Sequence, residues 1–336
     1  MSSQHEKRDH WFRDIVAYGP WTGLIILIPI AIIAWITLPL LSKLKSAANE
    51  VIIYTSQDQE YAEPIFNEFT KQTGIKVRAV YDNEAAKTVG LVNRLIAEKN
   101  NPQCDVFWNN EEFRTRQLAR EGIISNKWIS FGSRTRCIVV NTNLLPLAKA
   151  PHDCLSLVDE KYSRKVALAY PLFGTTSTHF LALQQRWTDV IWKSWCQRLA
   201  ANKPFVVDGN SVVVKMVGRG EACLGLTDSD DIRAGQREGL PIANVDLAQD
   251  GLSIPNTVAI VRLSPHPAAA EILLQYLGST PVHAALEQAG ALTCQGTVGD
   301  AFLDETNPDS GTVEDWNRML ANQNTNLEFL KGLFLR

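Results

Sequence analysis

The chain has 336 residues, 45% of them hydrophobic and 21% charged, the make-up of a globular protein with room for two domains. Its net charge of −3 gives no electrostatic case for a nucleic-acid partner. The six cysteines (Cys104, Cys137, Cys154, Cys196, Cys223, Cys294) show no CxxC or CxxH spacing, which argues against a zinc site. Several lie in apolar runs and read as buried free thiols, with one or two disulfides left open.

The first element is Thr22–Leu41, TGLIILIPIAIIAWITLPLL, which carries no charge. About 20 apolar residues cross the roughly 30 Å hydrocarbon core as a helix. Tyr18 and Trp21 sit at one end, where aromatic side chains favour the interface, and Lys43 and Lys45 close the other. A cleaved signal peptide competes with this reading. Its apolar region is shorter, about 7–15 residues, and Ser46-Ala47-Ala48 is a poor cleavage site beside Lys45. The expectation is a cytoplasmic tail (1–20), a single transmembrane signal anchor (21–41) and a short tether (42–50). Lys7, Arg8 and Arg13 before the span, against Lys43 and Lys45 after it, bias the main domain outside.

From Val51 the pattern is that of alternating strands and helices. Val51–Thr55 reads as a strand, and Ala62, Ile65, Phe66 and Phe69 as one buried helix face that Gly74 terminates. Lys76–Tyr81 is a second strand, Val89, Val92, Leu95 and Ile96 a second helix face, and Asp105–Trp108 a third strand. Successive βαβ units imply parallel pairing, with strand ends opening on a crevice that suits a small ligand. Those ends carry Thr55, Ser56, Gln57 and Asp58, then Asn109, Asn110 and Glu111.

The pattern then continues with the strand Arg136–Asn141. After it come the strand Val166–Tyr170, helices Thr178–Trp187 and Asp189–Ala200, and the strand Phe205–Val207. Asn210 is placed to cap a helix that runs to Gly218, and Cys223–Thr227 and Asp230–Arg237 follow as strand and helix. Ile254 opens an apolar run before the helix His266–Leu277, and further helices are expected near Val313–Leu320 and Leu327–Leu335. Chain crossings near Arg136 and Ile254 give an α/β chain of two lobes, 51–135 with 255–336, and 136–254.

Four runs carry a family resemblance: YTSQDQEYAEPIFNEFTKQTGIKVRAVYD, LVNRLIAEKNNPQCDVFWNNE, PLFGTTSTHF and LTDSDD. Over residues 51–300 the chain resembles family 1 extracellular solute-binding proteins of ABC importers, and within them the iron(III)-binding branch. The resemblance implies a two-lobed type II periplasmic-binding-protein fold, closing over one solute and passing it to an ABC permease in the same membrane. It implies no covalent cofactor, and a bound Fe³⁺ with a synergistic anion. Where that branch has two adjacent tyrosines, this chain has Asp230 and Asp231. Asp58 stands at a histidine ligand's place and Asn110, beside Glu111, at a glutamate's. Thr175, Thr176 and Ser177 match the anion loop, and Arg136 and Asn210 match residues that hold the anion.

Read as chemistry, Asp58, Asp228, Asp230 and Asp231 on one cleft must protonate, pair with arginine or bind a cation. Oxygen ligands suit hard metals, and an organic cation such as a polyamine would also satisfy them. The competing reading is helix capping. Thr175–Ser177 at a helix start is either an anion site or an ordinary cap. His179 reads as packing, Trp108 as core, and Arg134 and Arg136 as anion partners or surface ion pairs. Phosphorylated small molecules, and a sensor or scaffold that transports nothing, remain alternatives. No HExxH, GxSxG, GxGxxG or GxxxxGK[ST] motif supports an enzyme.

Overall fold

The computed structural model describes residues 49–82, 89–293, 302–304 and 315–335. The expected membrane span and Cys294 lie outside them. Among the described residues no helix is long and apolar enough to cross a membrane, and the five cysteines are free thiols.

The strands are β1 Glu50–Thr55, β2 Lys76–Tyr81, β3 Val106–Asn109, β4 Ile124–Asn141, β5 Val166–Ala169, β6 Phe205–Val207, β7 Leu224–Asp228, β8 Ile242–Asp246, β9 Ser253–Val261 and β10 Phe302–Asp304. The helices are α1 Gln59–Thr73, α2 Val89–Ala97, α3 Glu112–Arg120, α4 Gly174–Arg186, α5 Asp189–Ala201, α6 Asn210–Gly218, α7 Ser229–Arg237, α8 Pro267–Leu277, α9 Thr280–Gln288 and α10 Trp316–Phe334.

β1 pairs in parallel with β2 and β3, as two βαβ units require. Alternation along β1 assigns its faces: Val51 and Ile53 join Ala62, Ile65, Phe66 and Phe69 of α1, while Tyr54 joins Leu91, Val92 and Leu95 of α2 on the other face. Burial of a side chain such as Phe69 contributes about 1.5–3 kcal/mol. α1 stops where Gly74 takes φ 74° and donates its N–H to Thr70 O, a left-handed turn that glycine adopts without a Cβ clash. In α2 the buried face is Leu91, Val92 and Leu95. Val89 and Ile96, expected on it, are only half-buried.

β4 departs furthest from expectation. It is one strand of 18 residues, not the short Arg136–Asn141. Its first part pairs antiparallel with β9 in the first sheet. Its last part, Arg136–Asn141, pairs with β7 and β8 in the second. Ser125, Asn126, Ser130, Gly132 and Ser133 hide the first part by breaking the apolar alternation. A register shift lies between Phe131 and Ser133, with Gly132 at φ 54°. Such a bulge bends a strand and re-aims its side chains, here just before Arg134 and Arg136. In the second sheet β7 lies beside β4, and β5 pairs in parallel with β6 and β7.

α3 was not expected because its sequence, EFRTRQLAR, has no apolar period. It is held instead by a buried Glu112–Arg116 ion pair at 2.6 Å and by Arg116 over the rings of Trp128 and Trp316. The two expected C-terminal helices are one, α10. Its Leu330 and Phe334 pack with Phe180, Trp192 and Trp195. Its Trp316 and Met319 pack with Phe113, Leu181 and Ile254. Residues 255–336 therefore do not all belong with the first sheet: α10 lies against α4 and α5.

Candidate functional site

The strand ends of the two sheets face a narrow cleft of about 40 Å³. On the first-sheet side β1 and β3 end together, and their hydroxyl and amide groups are largely spent on each other. Ser56 Oγ lies 2.8 Å from Asn110 Oδ1 and accepts the Asn110 N–H at 3.0 Å, while Asn110 Nδ2 donates to Ser56 O at 2.9 Å. Gln57 Oε1 accepts from Arg134 at 3.4 Å. Neither Ser56 nor Gln57 lines the cleft; Asp58 and Asn110 do. Asp58 is the N-cap residue of α1, yet its side chain makes no capping bond.

The opposite wall grows from β7 and the helices beside it. Arg136 sits directly across from Asp228 in the β4–β7 register, and its Nη1 donates to Asp228 Oδ1 at 2.7 Å. Asp228 Oδ2 accepts from Thr175 Oγ1 at 2.6 Å and from Asn210 Nδ2 at 2.9 Å. Asn210 is thus not a helix cap: Gly209 holds that position, and Asn210 is the first residue of α6. Asp228 is the N-cap residue of α7, but its side chain makes no capping bond either, so capping does not account for it. Thr175, Thr176 and Asn210 line the cleft. Ser177 and Arg136 are buried beneath it.

The carboxylates converge. Ligand-type oxygens of Asp228, Asp230 and Asp231 all lie within 4.8 Å of one another, a spacing near which two like charges repel by about 4 kcal/mol at an effective dielectric of 20. Arg134 answers part of this charge through Asp230, 3.1 Å away. Its burial would lower its pKa, but Asp230, Asp228, Asp58 and Asp231 outweigh that and hold it above the usual arginine value. Burial raises the Asp230 carboxyl above its ordinary range despite Arg134, and its Oδ1 has no partner. Four carboxylates against Arg134 and Arg136 leave more negative than positive charge. Asp208 adds to it at the rim. An adjoining space of about 280 Å³ shares Asp58 and Asp231 and adds Glu60, Tyr61, Asp230 and Glu238.

Tyr170, Asp208, Glu60, Tyr61 and Glu238 escaped the sequence reading. Tyr170 and Asp208 follow β5 and β6, so the strand-end rule applied to the second sheet would have found them. Glu60, Tyr61 and Glu238 carry no signal, being ordinary helix-flank residues. Trp108 is core, edge-on to Phe66 at 5.8 Å. His179 is also buried; its Nε2 lies 2.7 Å from Asp250 O. Burial, then the charge of Arg136, lowers its pKa to about 3, so it is neutral.

Glu111 stands outside the cleft but joins its two sides, its Oε2 accepting from Thr178 of α4 at 2.7 Å. Complete burial raises its carboxyl to about 7, against the pull of Arg114 and the Thr178 hydroxyl. The folded protein therefore holds this proton more tightly than the unfolded chain does. That contribution is full below the unfolded value of 4.5 and is lost as pH rises to about 7. We expect urea unfolding to show stability falling across this window, by up to about 3 kcal/mol from this group. Glu111→Gln should flatten the fall, and an unchanged pH profile in the variant would contradict the assignment.

The model of the bacterial extracellular solute-binding protein family matches residues 52–292. The major ferric iron-binding protein of Neisseria meningitidis is 22% identical over 196 residues, 52% of this chain and 57% of that protein. The match spans little more than half of that relative's length. Iron-bound HitA from Pseudomonas aeruginosa aligns with a TM-score of 0.71 at 17% identity, over 84% of this chain and 99% of HitA. AfuA from Actinobacillus pleuropneumoniae, solved with fructose-6-phosphate, aligns at 0.69 and 17%, over 85% and 98%. FutA from Trichodesmium, with iron and citrate, aligns at 0.64 and 17%, over 84% and 99%. These likenesses show the fold: two α/β lobes of the periplasmic-binding-protein type.

Proposed function

This chain belongs to the bacterial extracellular solute-binding protein family, and we propose that it captures a cationic solute between its lobes, iron(III) first, for an ABC permease. The observation that carries the reading is the excess of carboxylates around one cleft: Asp58 on one wall, Asp228, Asp230 and Asp231 on the other, all acting on Arg134. A hard trivalent cation matches oxygen donors of that kind. The similarity to the ferric iron-binding protein of Neisseria meningitidis supports the choice.

In this reading the lobes are 51–135 with most of 255–336, and 136–254. β4 at Arg134–Arg136 and the chain before β9 are the hinge. Binding brings Asp58 against Asp231 and Asp230 and closes the clamp. Residues 21–41 anchor the protein in the membrane, with the main domain outside the cytoplasm, close to its permease. An organic cation is the second reading. The adjoining acidic space supports it, because Tyr61 there offers an aromatic face and Glu60 and Glu238 further carboxylates.

A thermal-shift panel on the full-length protein separates the two. A ligand at 100 times its Kd adds about 2.7 kcal/mol of stability. We expect ferric citrate to raise the melting temperature, and spermidine and fructose-6-phosphate to leave it unchanged. A shift with spermidine alone selects the second reading. A shift with the phosphate ester alone contradicts both.

A further inference from the structure

Three elements aim donors at one point in the second lobe. β4 supplies Arg136, α4 supplies Thr175 from its first turn, and α6 supplies Asn210 from its first residue. A buried guanidinium, a hydroxyl, a side-chain amide and a helix N-terminus together form an anion cradle. More donors lie in the same region: Ser177 Oγ and Arg136 Nε and Nη2 are buried without a protein partner. An anion already sits in the cradle, and it belongs to the chain. Asp228 takes Arg136 at 2.7 Å, Thr175 at 2.6 Å and Asn210 at 2.9 Å, and it is 1% exposed.

We propose that Asp228 is a tethered replacement for a free anion, so that this cleft loads its cation without phosphate, carbonate or another small anion as co-ligand. The register makes this possible. Asp228 closes β7 directly opposite Arg136, so its carboxylate is carried into the cradle by the strand itself and is there before any solute arrives. A free anion would have to displace it and would meet Asp58, Asp208 and Asp231 on the way. The same charge makes Asp228 a specificity residue, turning away solutes whose recognition group is a phosphate. Thr175 and Asn210 converge on the second carboxylate oxygen, so both oxygens of the tethered anion are satisfied before any solute arrives. The proposal deepens the cation reading of the cleft, and the expected anion at Thr175–Ser177 is replaced by Asp228.

The test uses inorganic phosphate and no metal, so it stands or falls apart from iron binding. Thermal shift and calorimetric titration would compare the full-length protein with Asp228→Ser, which removes the carboxylate and opens its place. The native protein should show no shift at millimolar phosphate. The variant should melt lower in phosphate-free buffer and regain stability with phosphate. Its affinity should exceed the native protein's by a factor of about ten or more, the worth of one charge-assisted hydrogen bond. If the variant does not fold without phosphate, its refolding yield is read with and without the anion: recovery with phosphate supports the proposal, and none overturns it. Phosphate that stabilises the native protein as much as the variant, or that leaves a folded variant unmoved, overturns it as well.

Discussion

Replacing Arg136 by Met is expected to cost about 3–5 kcal/mol of stability, because it leaves the Asp228 carboxylate buried without its counter-charge. Arg136 is fully buried and Asp228 nearly so, so water cannot take over the lost partner. Thr175 and Asn210 still donate to Asp228, but two neutral donors do not balance a buried anion. For a chain of this size the loss corresponds to a fall of roughly 10 °C in melting temperature. Removing both charges, in Arg136→Met/Asp228→Leu, should destabilise less than Arg136→Met alone, since the stranded charge is the costly part. Urea unfolding of the two single variants and the double variant gives the coupling. A double variant as unstable as the sum of the singles would mean that the pair is not coupled, and the cradle would lose its electrostatic basis.

The second large effect is on binding. Asp58→Ala/Asp231→Ala is expected to weaken Fe³⁺ binding by about 100-fold or more, each carboxylate supplying at least about 1.4 kcal/mol to a hard cation. Folding should change little, within about 1 kcal/mol. Arg134 keeps Asp230 at 3.1 Å, and the buried Arg136–Asp228 pair is untouched. That split between binding and folding distinguishes ligand contacts from structural ion pairs. Comparable losses in both would place Asp58 and Asp231 in the scaffold.

Much of the first lobe could be read from local pattern. In β1, α1 and β2 the alternation and the 3.6-residue period agree with what the fold buries, and Gly74 marks a left-handed turn that only its residue type announces. β4 could not be read, because its polar first part is stabilised by β9, more than a hundred residues later in the chain. α3 escaped for a related reason: its Arg116, paired locally with Glu112, is buried against the rings of Trp128 and Trp316, which arrive from elsewhere. The cleft shows the same division. The acidic run pointed to Asp228, and polar strand ends to Asp58 and Asn110. Those ends pointed equally to Ser56 and Gln57, which the fold turns inward onto Asn110 and Arg134. That Asp228 fills the place suggested for an anion depends on the β4–β7 register, which no local pattern encodes.

We propose that one cation is held between Asp58 and the Asp230–Asp231 wall. This is tested most directly by titrating the metal-stripped full-length protein with ferric citrate in phosphate-free buffer, following heat and bound iron together. We expect one iron per chain, saturating without added phosphate and lost in Asp58→Ala/Asp231→Ala. A protein that retains no iron after dialysis, or one that retains it equally in the double variant, would contradict it.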